Sequence, residues 1–163
     1  MKIRIADLVN DSIVDGQGIR FTIFTQGCLH NCKGCHNPKT HDLLGGKLVD
    51  ADKIIDVIKE NPLLDGITLS GGEPFLQSEE CTYLAKAAHD LGLNVWAYSG
   101  FTFEEILNDN NKKILLENID ILVDGKFEID KRSIDLDFKG SSNQRIIDVK
   151  KSIEKGSITI WNN

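Results

Sequence analysis

Three of the four cysteines in this 163-residue chain, Cys28, Cys32 and Cys35, follow one another as C-x3-C-x2-C. An even spread of cysteines would suggest disulfides, whereas a compact triplet suggests a metal or redox centre. Soft thiolate ligands favour iron–sulfur centres, and three of them can hold three corners of a cubane while one iron stays open to a small molecule. Zinc is the alternative. A Cys3His site would recruit His30 or His36, although structural zinc ligands usually arrive as two pairs with a longer spacer. Cys81 stands apart within a helical pattern and reads as a small core residue rather than a fourth ligand.

Other residues able to do chemistry follow apolar runs. Gly71-Gly72-Glu73-Pro74 comes directly after Ile67-Thr68-Leu69-Ser70. Glycines there let ligand polar groups meet main-chain atoms, though such a sequence taken alone is also a plain turn. Tyr98-Ser99-Gly100 and Asp124-Gly125-Lys126 end the next two runs. Ser99 can hydrogen-bond a ligand or lead a turn into a helix. Lys126 can pair with a ligand carboxylate through its point charge or form a solvated pair with Asp124. Arg145, ahead of Ile146-Ile147, is placed to anchor a strand edge. Gly16-x-Gly18 lacks the third glycine of a dinucleotide fingerprint and reads as a loop controlling access to the cysteines. His41 and His89 read as surface residues.

These residues must be positioned by the elements between them. Strand-like runs occur at Phe21 to Phe24, Ile67 to Leu69, Asn94 to Tyr98, Ile119 to Val123, Ile146 to Val149 and Ile158 to Trp161. Apolar positions Ile54, Ile55, Val57 and Ile58 at helical spacing predict a helix over residues 51–60, capped by Asp50. Leu84, Ala87, Ala88 and Leu91 predict a second helix over about 79–91, with Ser78 to cap it and Gly92 to close it. Thr102-Phe103-Glu104-Glu105 has capping-box spacing. Residues 108–111 read as a polar break and 130–137 as a charged loop. Strands alternating with helices predict an α/β fold with a mainly parallel sheet and right-handed crossovers, functional residues gathering at the strand carboxyl ends.

The length fits a single domain over residues 1–163, whereas a complete eight-stranded barrel takes about 250 residues. About six mainly parallel strands then make an open partial (β/α) barrel. With 40% hydrophobic and 27% charged residues the chain can bury a core. Its net charge of −6 opposes non-specific nucleic-acid binding, which depends on neutralising phosphates. The alternating opening segment predicts a strand rather than a signal peptide, and no run approaches the roughly 20 apolar residues of a membrane span. The expectation is a soluble, cytoplasmic protein without nucleic-acid or membrane partners.

The cysteine triplet, the following His36-Asn37-Pro38 and the Gly71 to Pro74 turn together resemble the radical S-adenosylmethionine enzymes. Asp15-Gly16-Gln17-Gly18-Ile19-Arg20 is similar to the lead-in of the glycyl-radical activases. Cys35-His36-Asn37-Pro38, Val123-Asp124-Gly125-Lys126-Phe127 and Gly140-Ser141-Ser142-Asn143-Gln144-Arg145 resemble, more narrowly, the activating proteins of anaerobic ribonucleoside-triphosphate reductases. The likeness runs from about residue 5 to residue 150. It implies a radical-SAM-type partial barrel with a 4Fe-4S cluster on Cys28, Cys32 and Cys35. It further implies S-adenosylmethionine bound around Gly34, Cys35, His36, Gly71, Gly72, Glu73, Ser99 and Lys126. Gly72 would be the most direct contact to the amino group, and Glu73 would orient that ammonium or hold the loop.

Reductive cleavage of S-adenosylmethionine would then give methionine and a 5′-deoxyadenosyl radical, which abstracts hydrogen from a backbone glycine of the reductase. A reduced flavodoxin- or ferredoxin-type protein would supply the electron. Many radical S-adenosylmethionine enzymes carry an aromatic residue immediately before the third cysteine, where this chain has Gly34. The reductase activators share that glycine, so adenine contact must rely on backbone and neighbouring residues, while His36 would orient the cluster loop or touch adenine through its backbone. The alternatives are an activase of another glycyl-radical enzyme, a radical enzyme acting on a small molecule, and a noncatalytic zinc or electron-transfer module.

Overall fold

A seven-stranded sheet of order β3-β1-β2-β4-β5-β6-β7 organises the computed structural model, which describes residues 1–162. The strands are β1 (Lys2–Ser12), β2 (Arg20–Thr25), β3 (Lys47–Asp50), β4 (Gly66–Gly71), β5 (Asn94–Tyr98), β6 (Ile121–Asp124) and β7 (Arg145–Asp148). The central four, β2-β4-β5-β6, run parallel, while β1, β3 and β7 are added antiparallel at the flanks. Two unjoined edges, β3 and β7, leave the sheet open, as expected of a partial barrel. Among the described residues, no helix is long and apolar enough to cross a membrane.

The central strands are covered on both faces, as parallel strands generally are. Side chains alternate across the sheet. Phe21, Ile23, Ile67, Leu69, Val95, Ala97 and Leu122 turn to one face and pack with the helices α1 (Ala51–Lys59), α2 (Ser78–Asp90), α3 (Phe103–Leu107) and α4 (Asn110–Leu116). On the other face Trp96, Ile121 and Val123 pack with Tyr98, Phe138, Ile146 and Trp161. A fifth helix, α5 (Val149–Lys155), follows β7 and ends at Gly156, whose φ of 70° closes it in the left-handed region.

Arg20 is fully buried at the start of β2. Its Nε donates to Thr68 Oγ1 at 2.7 Å, and its terminal nitrogens donate to Gln17 O at 2.8 Å, Ile67 O at 2.6 Å and Asn94 Oδ1 at 2.7 Å. The guanidinium also lies 5.5 Å from the centre of the Trp96 ring. Burial lowers its pKa to about 10, so it stays charged at neutral pH. One cation thus ties the loop ahead of β2 to β4 and β5.

The structure revises several local expectations. Strand β3 was not anticipated; it is an exposed edge strand in which Leu48 is 55% exposed, so no buried alternation marks it. Ile158 to Trp161 makes only an isolated bridge to β7, because the Thr159 N–H donates to Ser152 Oγ of α5 at 2.9 Å. Ile119 belongs to the turn after α4, its N–H reaching Leu116 O, so β6 begins at Ile121. Asp50 does cap α1, but Val57 lies outside the buried stripe. Ser78 starts α2 instead of capping it, its hydroxyl donating to Phe75 O, while the Gln77 side chain at the cap position bridges to Arg4 of β1. The polar break becomes the start of α4, since Asp109 accepts from the N–H groups of Asn111 and Lys112. The capping box at Thr102 and Glu105 is present.

Candidate functional site

The segment after β2 is folded back on itself. Gly27 N–H donates to Thr40 O at 2.6 Å, Cys28 N–H to His41 O at 3.2 Å, and the Gln26 side-chain amide donates to Lys39 O and Asp42 O. Between the cysteines, Asn31 at φ 52° and Gly34 at φ 75° reverse the chain twice. Asparagine is among the few non-glycine residues that tolerate this region. Cys35 N–H closes a turn onto Cys32 O, and Asn37 N–H donates to Cys35 Sγ at 3.4 Å, a contact that would damp negative charge on that sulfur. A Cβ at Gly34 would lie 2.6 Å from Ile129 Cδ1, so an aromatic side chain has no room there without moving that residue.

All three residues of the triplet line one cavity of about 350 Å³ at the carboxyl ends of the parallel strands. Ser70, Gly71 and Gly72 border it at the end of β4, and Tyr98, Ser99 and Gly100 at the end of β5. His30, His36 and His41 line it from the cysteine segment, so His41 is not simply a surface residue. Val14 and Asp15 reach it from the loop ahead of β2. The cysteines are free and partly buried, and burial raises the Cys28 and Cys32 thiols above their ordinary values. Cys81 is fully buried in the helix-side core, away from the cavity.

Among the described residues, no group of three or more His, Cys, Asp or Glu side chains converges to hold a single metal ion. A cubane asks for a different arrangement, three thiolates on three separate irons, and the three cysteines border one cavity. His30 does not complete a Cys3His site through Nε2, which meets Glu73 instead. The His36 ring packs against Phe127 with centroids 4.9 Å apart.

The Gly71-Gly72-Glu73 edge is stitched by main-chain hydrogen bonds to the end of β2 and the start of the cysteine segment: Gly72 N–H to Thr25 O and Glu73 N–H to Gly27 O, both 2.8 Å. A Cβ on Gly72 would sit 2.4 Å from Gly27 O, so glycine is required for this approach. Glu73 is buried, and its carboxylate has several partners. Oε1 lies 2.6 Å from His30 Nε2 and accepts from Gly100 N–H at 2.8 Å; Oε2 accepts from Phe75 N–H at 3.0 Å; the Ser99 hydroxyl lies 2.9 and 3.0 Å from the two oxygens.

Lys126 is exposed and lies off the cavity wall, its carbonyl accepting from Asn143 Nδ2. Lys139, which sequence reasoning left unassigned, lines the cavity beside Phe138 and Gly140. Gln144 holds that wall: its Oε1 accepts from Gly140 and Ser141 N–H groups, and its Nε2 donates to Gly125 O at 2.9 Å. The Gly140 to Arg145 motif was the available signal, though nothing in it pointed to the lysine just before it. Asp124 does not pair with Lys126 but with Arg145, which anchors β7 as expected.

A family model described as a 4Fe-4S single cluster domain matches residues 14–147. The chain is 34% identical over 142 residues to the anaerobic ribonucleoside-triphosphate reductase-activating protein of Pasteurella multocida, covering 82% of this chain and 90% of that one. The proteins of the same name from Vibrio cholerae and Enterobacteria phage T4 are 35% and 31% identical, over 82% of this chain and 90% and 86% of theirs. With a cysteine triplet on a shared cavity wall, an open partial barrel and likeness along most of its length, this chain belongs to the family of anaerobic ribonucleoside-triphosphate reductase-activating proteins.

Proposed function

We propose that this chain installs a glycyl radical on an anaerobic ribonucleoside-triphosphate reductase, using a 4Fe-4S cluster held by Cys28, Cys32 and Cys35. The observation that carries this reading is the placement of all three thiols on the cavity that also meets the Gly71-Gly72 edge. A 4Fe-4S cluster there supplies one electron for reductive cleavage of S-adenosylmethionine to methionine and a 5′-deoxyadenosyl radical, which takes a hydrogen atom from a glycine of the reductase.

The chain's own residues bind and orient. The N–H groups of Gly72 and Glu73 already point at Thr25 and Gly27, so this edge offers carbonyl oxygen, the acceptor that an ammonium requires. Glu73 serves the loop rather than the ligand, its carboxylate being surrounded by donors of the protein. Ser99 shares that carboxylate and holds the end of β5 in place. Lys139, which lines the cavity, supplies a cation for the methionyl carboxylate. With Gly34 before the third cysteine, Phe127 and the neighbouring His36 provide the aromatic surface for adenine. The cavity opens at an edge of a sheet that is not closed, which suits entry of a polypeptide segment.

The single domain carries the whole reaction, with a reduced flavodoxin- or ferredoxin-type protein as electron donor. The free thiols suit a reducing compartment, and the cytoplasm is the location we assign. Anaerobic reconstitution with iron and sulfide, then reduction in the presence of S-adenosylmethionine, tests the reading. About four irons per chain and release of 5′-deoxyadenosine are expected, with both lost in Cys28→Ala, Cys32→Ala and Cys35→Ala. Bound zinc without 5′-deoxyadenosine, or full activity in any of the three variants, overturns it.

A further inference from the structure

His30 sits midway between the first two cysteines, yet its ring is directed away from a ligand role. Its side chain is 8% exposed and that of Glu73 is fully buried, with Nε2 and Oε1 2.6 Å apart. The imidazole meets Phe101 edge-on, ring centres 4.5 Å apart at 72°. It also lies over Gly100, where a Cβ would come within 2.5 Å of His30 Cδ2. The Glu73 carboxylate that receives it is bound as well by Phe75 N–H, Gly100 N–H and the Ser99 hydroxyl. One buried carboxylate therefore joins three separate pieces of chain: the cysteine segment, the turn after β4 and the end of β5.

We propose that His30 is a positioning residue that hangs the cysteine segment on Glu73 and so sets the distance between the cluster and the Gly71-Gly72 edge. The proposal rests on the assignment of Cys28, Cys32 and Cys35 as cluster ligands. Main-chain bonds fix the two ends of the segment at Gly27, Cys28 and Thr40, but between Cys28 and Cys32 the chain is turned by Asn31 and needs a side-chain tether. His30 supplies it, and glycine at 100 leaves room for the ring, since a Cβ there would meet it at 2.5 Å. Partners of this kind, which orient a metal-binding segment without touching the metal, typically change affinity or activity by about 10–100-fold when removed.

The test compares His30→Ala, His30→Gln and Gly100→Ala with the unaltered chain, all reconstituted anaerobically. Gln can place a donor near the position of Nε2; Ala at 100 displaces the ring while leaving both tether residues in place. Iron and sulfide content, the spin-resonance spectrum of the reduced cluster with and without S-adenosylmethionine, and KM and kcat for 5′-deoxyadenosine release are read for each. His30→Ala and Gly100→Ala should keep most of their iron, respond weakly to S-adenosylmethionine in the spectrum and show a KM raised about tenfold or more. His30→Gln should recover most of the loss, and Gly100→Ala should add little to His30→Ala. Wild-type KM and spectrum in His30→Ala overturn the proposal. So does loss of iron from both His30 variants, which would mark His30 as a ligand. Failure of the unaltered chain to bind iron or cleave S-adenosylmethionine refutes the functional reading itself, a separate result.

Discussion

Arg145, at the start of β7, reaches the buried carboxylate of Asp124 at the end of β6, with nitrogen–oxygen distances of 2.6 and 3.0 Å. The same guanidinium holds Glu104 of α3 at 2.9 Å, and Asp124 accepts from the Phe103 N–H at 2.7 Å. These hydrogen bonds hold Arg145 in its charged form and draw the Glu104 carboxyl below its ordinary value. The pair fixes the last strand, and with it the Gly140 to Gln144 wall of the cavity. Arg145→Met leaves the Asp124 carboxylate buried without its cation, which costs about 3 kcal/mol, or roughly 6–12 °C in Tm. Thermal unfolding under anaerobic conditions reads this directly, and a change within about 1 °C contradicts it.

Lys139 and Lys126 separate two readings of ligand binding, since only Lys139 lines the cavity. A charge-assisted hydrogen bond of about 1.5–3 kcal/mol corresponds to roughly 10–150-fold in affinity. Lys139→Ala should raise the KM for S-adenosylmethionine by about tenfold or more, while Lys126→Ala changes it less than about twofold. The reverse ranking returns the role to Lys126.

Gly72→Ala places a methyl group 2.4 Å from a main-chain oxygen of Gly27, which no side-chain rotation can relieve. The turn after β4 must then move away from the cysteine segment. S-adenosylmethionine affinity should fall by at least about tenfold with far-ultraviolet circular dichroism unchanged. Wild-type affinity in this variant contradicts the close approach.

Asp120 gives a pH dependence remote from the cavity. Burial pushes its carboxyl up, but the combined effect of His89 Nε2 at 2.8 Å, the Val95 N–H at 2.8 Å and Lys150 Nζ at 3.1 Å draws it below the ordinary value. A carboxylate with a folded-state pKa below its unfolded value contributes stability above the unfolded pKa and loses it as pH falls through the folded one. The contribution should therefore disappear below about pH 4, and Asp120→Asn should flatten that part of the stability profile. Urea midpoints measured anaerobically between neutral and acid pH check it, an unchanged acid slope in Asp120→Asn being the contrary result.

Features built from neighbouring residues were legible in the sequence. The cysteine spacing, the Thr102 capping box, the Asp50 cap and the strand-end positions of Gly71, Ser99 and Asp124 all follow from local chemistry. Features made by distant partners were not. Glu73 reads either as orienting an ammonium or as holding its loop, and the partner His30, 43 positions away, is visible only in the fold. Arg20 stands in the sequence only as the last residue of the Asp15 to Arg20 lead-in, and nothing there shows that its acceptors come from residues 17, 67, 68 and 94. Lys139 lies in a loop without periodicity, and only the folding back of that loop by Gln144 brings it to the cavity. Ser78 was misplaced because helix-capping preference favours serine, whereas the Gln77 side chain is drawn to β1 by two hydrogen bonds to Arg4.

The central claim is tested most directly by electron paramagnetic resonance of the reconstituted chain mixed anaerobically with reductant, S-adenosylmethionine and an anaerobic ribonucleoside-triphosphate reductase. A glycyl-radical doublet should appear on the reductase, and it should be absent when Cys28, Cys32 or Cys35 is replaced by Ala. No doublet from a chain that does cleave S-adenosylmethionine, or a doublet that persists in a cysteine variant, contradicts it.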